Sequence, residues 1–533
     1  MSRDVPQELP AVPAAEHRGP GRAGLLRILS GLGWNTGGQI ASVALNLVLT
    51  PFLLLRLGVN QYGLYALLSS FRGLLSNLDG GFGPTSSRFF AVYAGADDRR
   101  STAGLVLTIS AILTAIVGTL AGIVALLAPQ ITELLHSSSS LHHEAAGLLR
   151  AFMPLLLAAT LRGSFQRILR SHHRWAYINI SATVSTVTYV AFAMLLVGEG
   201  HGLVGLVWAS VAQELVLDIA FVVAATRYFS WRDCRLLPHD VTREIARYAS
   251  RVQLAAVASS FNFEIDSLLV GLIFPVRYVA YYSIGSNFAS QLVSLPLNAV
   301  SPVAVTLSRT FGRSGLRSTL LEFTELQRLW VRVVAPYALI GAVCGYFGIL
   351  RWLGPQERLA GAVAVILLGG QVLNLLSQVM AELGKAVNRP GLESRYLGVG
   401  VVINVVLTIP LAFTVGMLGV PIGTAIGQLV SALYFLHIAK REIDRGLRSF
   451  LADIPVLATV TATACAAALV LPAYAVAPRG AFGLLLCGVP AAVALVIHAT
   501  LVGGLKRTAR IVTAGASLAA PASGEPAPRD GLD

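Results

Sequence analysis

From residue 34 to residue 504 the chain alternates long apolar runs with short polar interruptions. A helix needs about 17–25 mainly apolar residues to cross roughly 30 Å of hydrocarbon. Runs that meet this need fall at 34–55, 62–79, 103–127, 145–161, 176–197, 202–226 and 252–274. The second half supplies 278–301, 329–350, 359–381, 396–415, 417–438, 452–475 and 481–504. The pattern predicts an all-α integral membrane protein of about fourteen transmembrane helices. Residues 1–33 and 505–533, rich in Pro, Gly, Ala and mixed charge, read as disordered cytosolic tails. The first has no apolar core of the kind a signal peptide carries.

Polar residues inside the runs are aligned. At about 100° per residue, positions i, i+3, i+4 and i+7 share a helix face. Span 1 aligns Asn35, Gln39, Ser42, Asn46 and Thr50, and span 2 aligns Ser69, Arg72, Ser76 and Asp79. Span 7 aligns Gln253, Ser260, Glu264 and Ser267, and span 10 Gln371, Asn374, Gln378 and Glu382. Span 8 carries the longest stripe: Ser283, Asn287, Ser290, Gln291, Ser294, Asn298 and Ser301. Interhelical hydrogen bonding accounts for any single Ser or Asn. It does not account for a face polar along a whole helix, which needs water or a polar ligand. Spans 3, 13 and 14 show no comparable stripe and are expected against lipid. Small-residue spacing at Gly419, Gly423 and Gly427, and at Gly118 and Gly122, predicts close helix packing.

A weak repeat organises the spans. Val59–Tyr65 (VNQYGLY) resembles Val276–Tyr282 (VRYVAYY), an offset of 217. Gln166 and Gln378 stand 212 apart, Arg174 and Arg389 215, and Gly202 and Gly419 217. The common offset predicts an N-terminal six-helix bundle at 34–226, a cytosolic linker at 227–251 and a C-terminal six-helix bundle at 252–438. Two further helices then occupy 439–504. Spans 7 and 8 are the copies of spans 1 and 2, so the same pair in each bundle presents a wet face. That places a cavity between the bundles.

Composition agrees: 55% of the residues are hydrophobic, 13% are charged and mean hydropathy is +0.69. A soluble domain carries about 25% charged residues. The net charge of +13 is dispersed between the runs and forms no patch for nucleic acid. With both termini inside, the outer loops hold five basic residues, Arg56, Arg277, Arg351, Arg358 and Arg479, out of forty. This asymmetry follows the positive-inside rule and supports an even number of spans with cytosolic ends.

Ionisable groups within spans mark function more often than surface ones do. Arg72, with Asp79 two turns on along the same face, is either half of a structural ion pair or a cationic contact for an anionic headgroup. Glu264 and Asp266 are the candidates for ion coupling. They point to different faces, Glu264 along the polar stripe and Asp266 along a packed side. Glu214 and Asp218, one turn apart in span 6, read as packing-related. No GxxxxGK[ST] phosphate loop occurs. His142-His143 and His172-His173 lack metal-ligand spacing, and the four cysteines show no CxxC, so neither a metal nor a cofactor is expected. The outer loops are too short for a glycosyltransferase domain, and no enzymatic activity is expected.

The segment from Leu57 to Arg88, LGVNQYGLYALLSSFRGLLSNLDGGFGPTSSR, resembles the opening of Wzx-type polysaccharide flippases of the MOP (MATE-like) superfamily. Leu57-Gly58, Tyr62-Gly63, Tyr65, Asp79–Gly81, Gly83 and Arg88 carry the likeness. FQRILRSHHRW (165–175), IDSLLVGLIF (265–274), VAYYSIGSNFASQLVSLP (279–296), QVMAELGKAVNRP (378–390) and LGVPIGTAIGQLVS (418–431) extend it. Ser171 departs from the family's usual Gly, and span 1 has no central charge, which leaves the coupling ion open. The resemblance implies a V-shaped cavity and alternating access. It also implies transport of a polyprenyl-(pyro)phosphate-linked oligosaccharide across the bacterial cytoplasmic membrane. Arg72, Asp79, Arg88, Asn35, Gln39, Asn46, Asn287, Gln291 and Asn298 are then the expected substrate contacts. Membrane lipids and other glycan-assembly proteins are the expected partners. A MATE-like antiporter of organic cations and a non-transporting assembly scaffold are the alternatives.

Overall fold

A computed structural model describes residues 22–76, 79, 81–134, 139–247, 249–250, 265–387, 391–443 and 452–502. Every regular element among them is helical. This is the expected solution in hydrocarbon, where no water can satisfy an open strand edge or a loop. The first half contains α1 (Arg22–Ser76), α2 (Phe82–Gly95), α3 (Arg99–Leu113), α4 (Thr119–Leu126), α5 (Ala128–Glu133), α6 (Ser139–Ser171), α7 (Trp175–Gly198) and α8 (Gly202–Ala225). The second contains α9 (Ile265–Ile273), α10 (Arg277–Leu353), α11 (Arg358–Leu376), α12 (Gln378–Ala386), α13 (Gly391–Val415), α14 (Gly419–Ile443), α15 (Val456–Val476) and α16 (Ala481–Leu501).

Eleven helical stretches among the described residues are long and apolar enough to cross a membrane, so the protein is a multi-pass membrane protein. That number is compatible with about fourteen spans. The 40-residue stretch Gly37–Ser76 breaks at Gly58 (φ 76°), and Ser314–Leu353 follows a similar break at Gly315 (φ 73°) within α10. Most of span 7 lies outside the described residues. Several helices outrun the apolar signal: α6 ends at Ser171 where the pattern stopped at 161. The expected inner loop 80–102 contains the short helix α2. The described part of 227–251 is packed: Phe229, Ile245 and Ala249 join Phe90 and Ile109 in a buried cluster. There the Leu237 N–H donates to Thr108 Oγ1 at 2.9 Å.

The exposed faces are apolar, as a lipid solvent requires. Val402, Val406, Ile409 and Phe413 line one side of α13, and Leu215, Ile219 and Val223 one side of α8. On α15 and α16, Ala462, Ala466, Val470, Cys487 and Ala494 turn inward onto Ile340 and Cys344 of α10. α13 and α14 pack closely. A Cβ at Gly419 would stand 2.0 Å from the Leu411 carbonyl oxygen, and one at Gly423 2.7 Å from the Thr408 Cα. The second predicted small-residue pair behaves differently. Gly122 has open space around it, and Gly118 closes a π-helical turn, Thr114–Gly118.

Candidate functional site

The polar faces of α1 and α10 oppose each other across a cavity of about 1170 Å³. From α1 come Gln39, Asn46, Thr50, Tyr65 and Ser69, and from α10 Ser283, Asn287, Ser290, Gln291 and Ser294. Ser267 of α9, Gln371 of α11 and Gln428 of α14 complete the polar wall. The halves touch within it: Gln39 Nε2 donates to Ser294 Oγ at 2.5 Å. Asn287 Nδ2 donates to Ser283 Oγ at 3.3 Å, and Asn46 Nδ2 to the Ser42 carbonyl at 2.9 Å, so these amides keep further polar capacity. Leu484 and Leu485 of α16 also reach the wall. A second cavity of about 520 Å³ adjoins it, sharing Asn46, Tyr65, Ser69 and Tyr189. Its remaining polar lining comprises Ser42, Arg72, Ser76, Thr186, Ser210 and Gln213. Among the described residues lining the two spaces, one carries a charge, Arg72, and it lines the smaller.

Arg72 is paired differently from the expectation. Its Nη2 lies 2.8 Å from Glu214 Oε1, and its guanidinium stands 5.9 Å from the centre of the Phe152 ring. The other Glu214 oxygen accepts from Arg162 Nη1, which also reaches Asp218 Oδ1 at 3.0 Å. Glu214 and Asp218 therefore belong to a charge cluster joining α1, α6 and α8. Asp79 lines neither cavity. Its two oxygens accept from the Gly81 and Gly83 N–H groups, each at 2.9 Å, capping the start of α2. The physical reason is that Asp79 stands in a bend and not in a helix. The 100° extrapolation that put Asp79 on the Arg72 face holds only within a helix.

Asp266 is fully buried one layer behind the wall. Its Oδ2 accepts from Tyr282 Oη at 2.8 Å and from Thr424 Oγ1, and both donors also line the large cavity. Asn404 Oδ1, 3.3 Å from Thr424 Oγ1 and accepting from Thr408 Oγ1 at 2.6 Å, extends this network across α13 and α14. Among the described residues, Asp266 Oδ1 has no hydrogen-bond partner. Glu264 lies outside the described residues. Asn35, Arg88 and Asn298 fall on α1, α2 and α10, with side chains outside the described residues. No cluster of three or more His, Cys, Asp or Glu able to hold a metal occurs among the described residues. Thr424, Tyr282, Arg162 and Gln428 were missed from sequence. For Arg162 a signal existed, because two acids one turn apart in a membrane helix require cations from a neighbour.

Comparison with known proteins agrees with this geometry. Residues 28–308, over half the chain, match the family model described as polysaccharide biosynthesis protein. A probable low-salt glycan biosynthesis flippase, Agl15 of Haloferax volcanii, is 21% identical over 265 residues, covering 48% of this chain and 53% of that protein. The match thus spans about half the length of that curated relative. Among solved structures, the lipid II flippase MurJ in an inward closed conformation superposes with a TM-score of 0.65 at 14% identity, covering 90% of this chain and 98% of the other. An inward-facing multidrug resistance MATE family transporter of the MOP superfamily gives 0.59 at 14% identity, covering 76% and 94%. At such identities the likeness establishes the fold.

Proposed function

The chain belongs to the polysaccharide biosynthesis protein family, and from that premise we propose that it is a flippase for a polyprenyl-(pyro)phosphate-linked oligosaccharide. The observation that carries this reading is the chemistry of the wall. The polar groups of the large cavity are neutral amides and hydroxyls, suited to sugar hydroxyls, set among aliphatic residues such as Leu47, Leu292 and Leu295. The adjoining smaller cavity adds one cation, Arg72, and no described lining residue of either is an acid. A guanidinium fits a phosphate, with several N–H donors in a fixed fork. An organic cation would meet no compensating carboxylate there. In this reading the bundles 34–226 and 252–438 rock about the cavity in the bacterial cytoplasmic membrane, with both termini cytosolic. Membrane lipids shelter the polyprenyl tail, and the proteins that make and use the glycan are the remaining partners. No covalent bond is made or broken.

Asp266 is the coupling residue of this scheme. Its unpartnered oxygen takes a proton or a small monovalent cation, and Thr424 and Tyr282 relay its state to the wall. The test of the main reading is transport of lipid-linked oligosaccharide in vesicles by Arg72→Ala and Arg72→Lys. Loss of a charge-assisted contact worth about 1.5–3 kcal/mol lowers transport by Arg72→Ala about ten- to a hundredfold. The folded amount in the membrane is expected to stay unchanged. Arg72→Lys retains part of the activity, because a point charge still meets a phosphate without the fork. If Arg72→Ala fails to accumulate, Arg72 is only half of a structural pair and the assignment is lost.

A further inference from the structure

Arg72 reaches the cavity already engaged. Arg72, Glu214, Arg162 and Asp218 form a line of alternating charge, with Arg72 Nη2 to Glu214 Oε1 at 2.8 Å and Arg162 Nη1 to Asp218 Oδ1 at 3.0 Å. Between those contacts, Glu214 Oε2 meets Arg162 Nη1. The side chain of Glu214 is 7% exposed while that of Arg72 is 28% exposed. Glu214 stands behind the wall, whereas its neighbours Ser210 and Gln213 are part of it. Glu214 lies twelve residues into α8, about 18 Å from its Gly202 end at 1.5 Å per residue. It is therefore well inside the membrane.

A carboxylate so placed must keep a cation, because an uncompensated buried charge is strongly unfavourable. Glu214 has two, one on each oxygen. One of them can be given up without stranding it, provided the other stays. Arg162, 14% exposed and absent from the cavity lining, is the one that stays. Arg72, on the wall, is the one that can leave.

Building on the reading of Arg72 as the phosphate contact, we propose that Glu214 is an internal stand-in for the substrate's phosphate. It occupies one edge of Arg72 in the empty transporter and is retained by Arg162 when a phosphate takes its place. Glu214 acts through Arg72 and is a positioning residue for it. The exchange sets selectivity: a phosphate, with more charge and more acceptor oxygens, displaces a carboxylate. A glycolipid headed by a carboxylate gains little by the same swap, and a neutral one gains nothing. The exchange also releases a tie between α1 and α8 as the headgroup arrives.

Binding of farnesyl pyrophosphate, a short polyprenyl pyrophosphate, to the full chain in nanodiscs tests this by calorimetry. The variants are Arg72→Ala, Glu214→Gln and the two combined. Glu214→Gln is expected to bind about tenfold tighter than the unaltered protein, since the competitor loses its charge. In the Arg72→Ala background the same change is expected to alter affinity by less than twofold. In transport, the tighter grip lowers KM and lowers kcat together, because release slows. Glu214→Gln binding no tighter than the unaltered protein overturns the proposal. Equal tightening with and without Arg72 also overturns it, because the effect is then a change of general field. Arg72→Ala binding as well as the unaltered protein removes the underlying reading instead, so the two failures are distinguishable. Should Glu214→Gln not fold, Glu214→Asp keeps a carboxylate for Arg162 and draws it back from Arg72. It is expected to tighten binding as well, and unchanged affinity again overturns the proposal.

Discussion

A charged side chain near the middle of a helix in hydrocarbon costs about 2.5–3.5 kcal/mol on insertion scales unless other groups take up its charge. Arg72 meets Glu214 for this reason. Asp266 presents the same problem with a different answer. It is fully buried, its Oδ2 accepts from Tyr282 and Thr424, and its Oδ1 has no partner among the described residues. No cation contacts it among the described residues, so a proton or bound cation at Oδ1 would balance it. Asp266→Asn keeps the size and the acceptor while removing the charge. In proteoliposomes with imposed ion gradients, this variant is expected to transport at a rate independent of the gradient, with folded yield unchanged. A variant that loses folded yield would mark the carboxyl as structural. At this scale the sequence exposed the anomalous residues but not their partners. Arg72 and Asp266 stand out because each sits in an apolar run. Glu214 is 142 positions from Arg72, and Thr424 is 158 from Asp266. Periodicity reports which face of its own helix a residue shares, and nothing about which helix stands opposite.

Proline inside a helix removes one hydrogen bond and frees a carbonyl four residues earlier. In α1, Pro51 leaves the Leu47 carbonyl without its helical donor, and Trp352 Nε1 of α10 donates to it at 2.8 Å. A broken helix bond has thus become a contact between two distant helices, beside the large cavity that Trp352 also lines. Trp352→Phe keeps an aromatic ring and deletes the donor. It is expected to destabilise the protein by about 1–3 kcal/mol, the cost of a buried unpaired carbonyl, read as a lower thermal midpoint in detergent. An unchanged midpoint would mean that water already serves Leu47. Gly419→Ala is expected to lower the midpoint further, because the added methyl meets the Leu411 backbone at 2.0 Å and neither helix can yield. The existence of the helices was legible, since apolar length is what a bilayer selects. Their ends were not, because α6 and its like continue beyond the hydrocarbon on polar residues that carry no apolar signal. The π turn at Thr114–Gly118 was hidden for a related reason, since a one-residue expansion leaves local composition unchanged.

Over the whole molecule, two asymmetries decide what the protein can do: charge across the membrane, and polarity between wall and exterior. The first is an expectation from counting Arg and Lys, and it predicts that Ser314 and the 198–201 turn lie on opposite sides. Single cysteines placed there in a cysteine-free background are expected to label from the cytosolic and outer sides respectively, and labelling from one side would refute the topology. The second asymmetry was legible as stripes on spans 1, 2 and 8; most of the span 7 stripe lies outside the described residues. Its closure into two adjoining cavities required the fold, because no single helix shows where another's stripe faces. Together they bear on function as follows. A phosphate bearing sugars cannot cross about 30 Å of hydrocarbon unaided, since its charge and hydroxyls would lose their water without replacement. In the proposed reading, the amides and hydroxyls of the large cavity and the guanidinium of the smaller one replace that water, while apolar outer faces leave a polyprenyl tail in lipid. Cells depleted of the protein are therefore expected to accumulate completed lipid-linked oligosaccharide in the inner leaflet and to lose surface polysaccharide. Leaflet-resolved quantification of the intermediate, by its accessibility to an impermeant sugar-modifying reagent, measures this directly. Restoring Arg72→Ala protein is expected to leave the accumulation in place. If the intermediate reaches the outer leaflet at the normal rate while depleted cells become sensitive to cationic dyes, the cargo is an organic cation. Arg72 would then have to remain bound to Glu214 throughout the cycle.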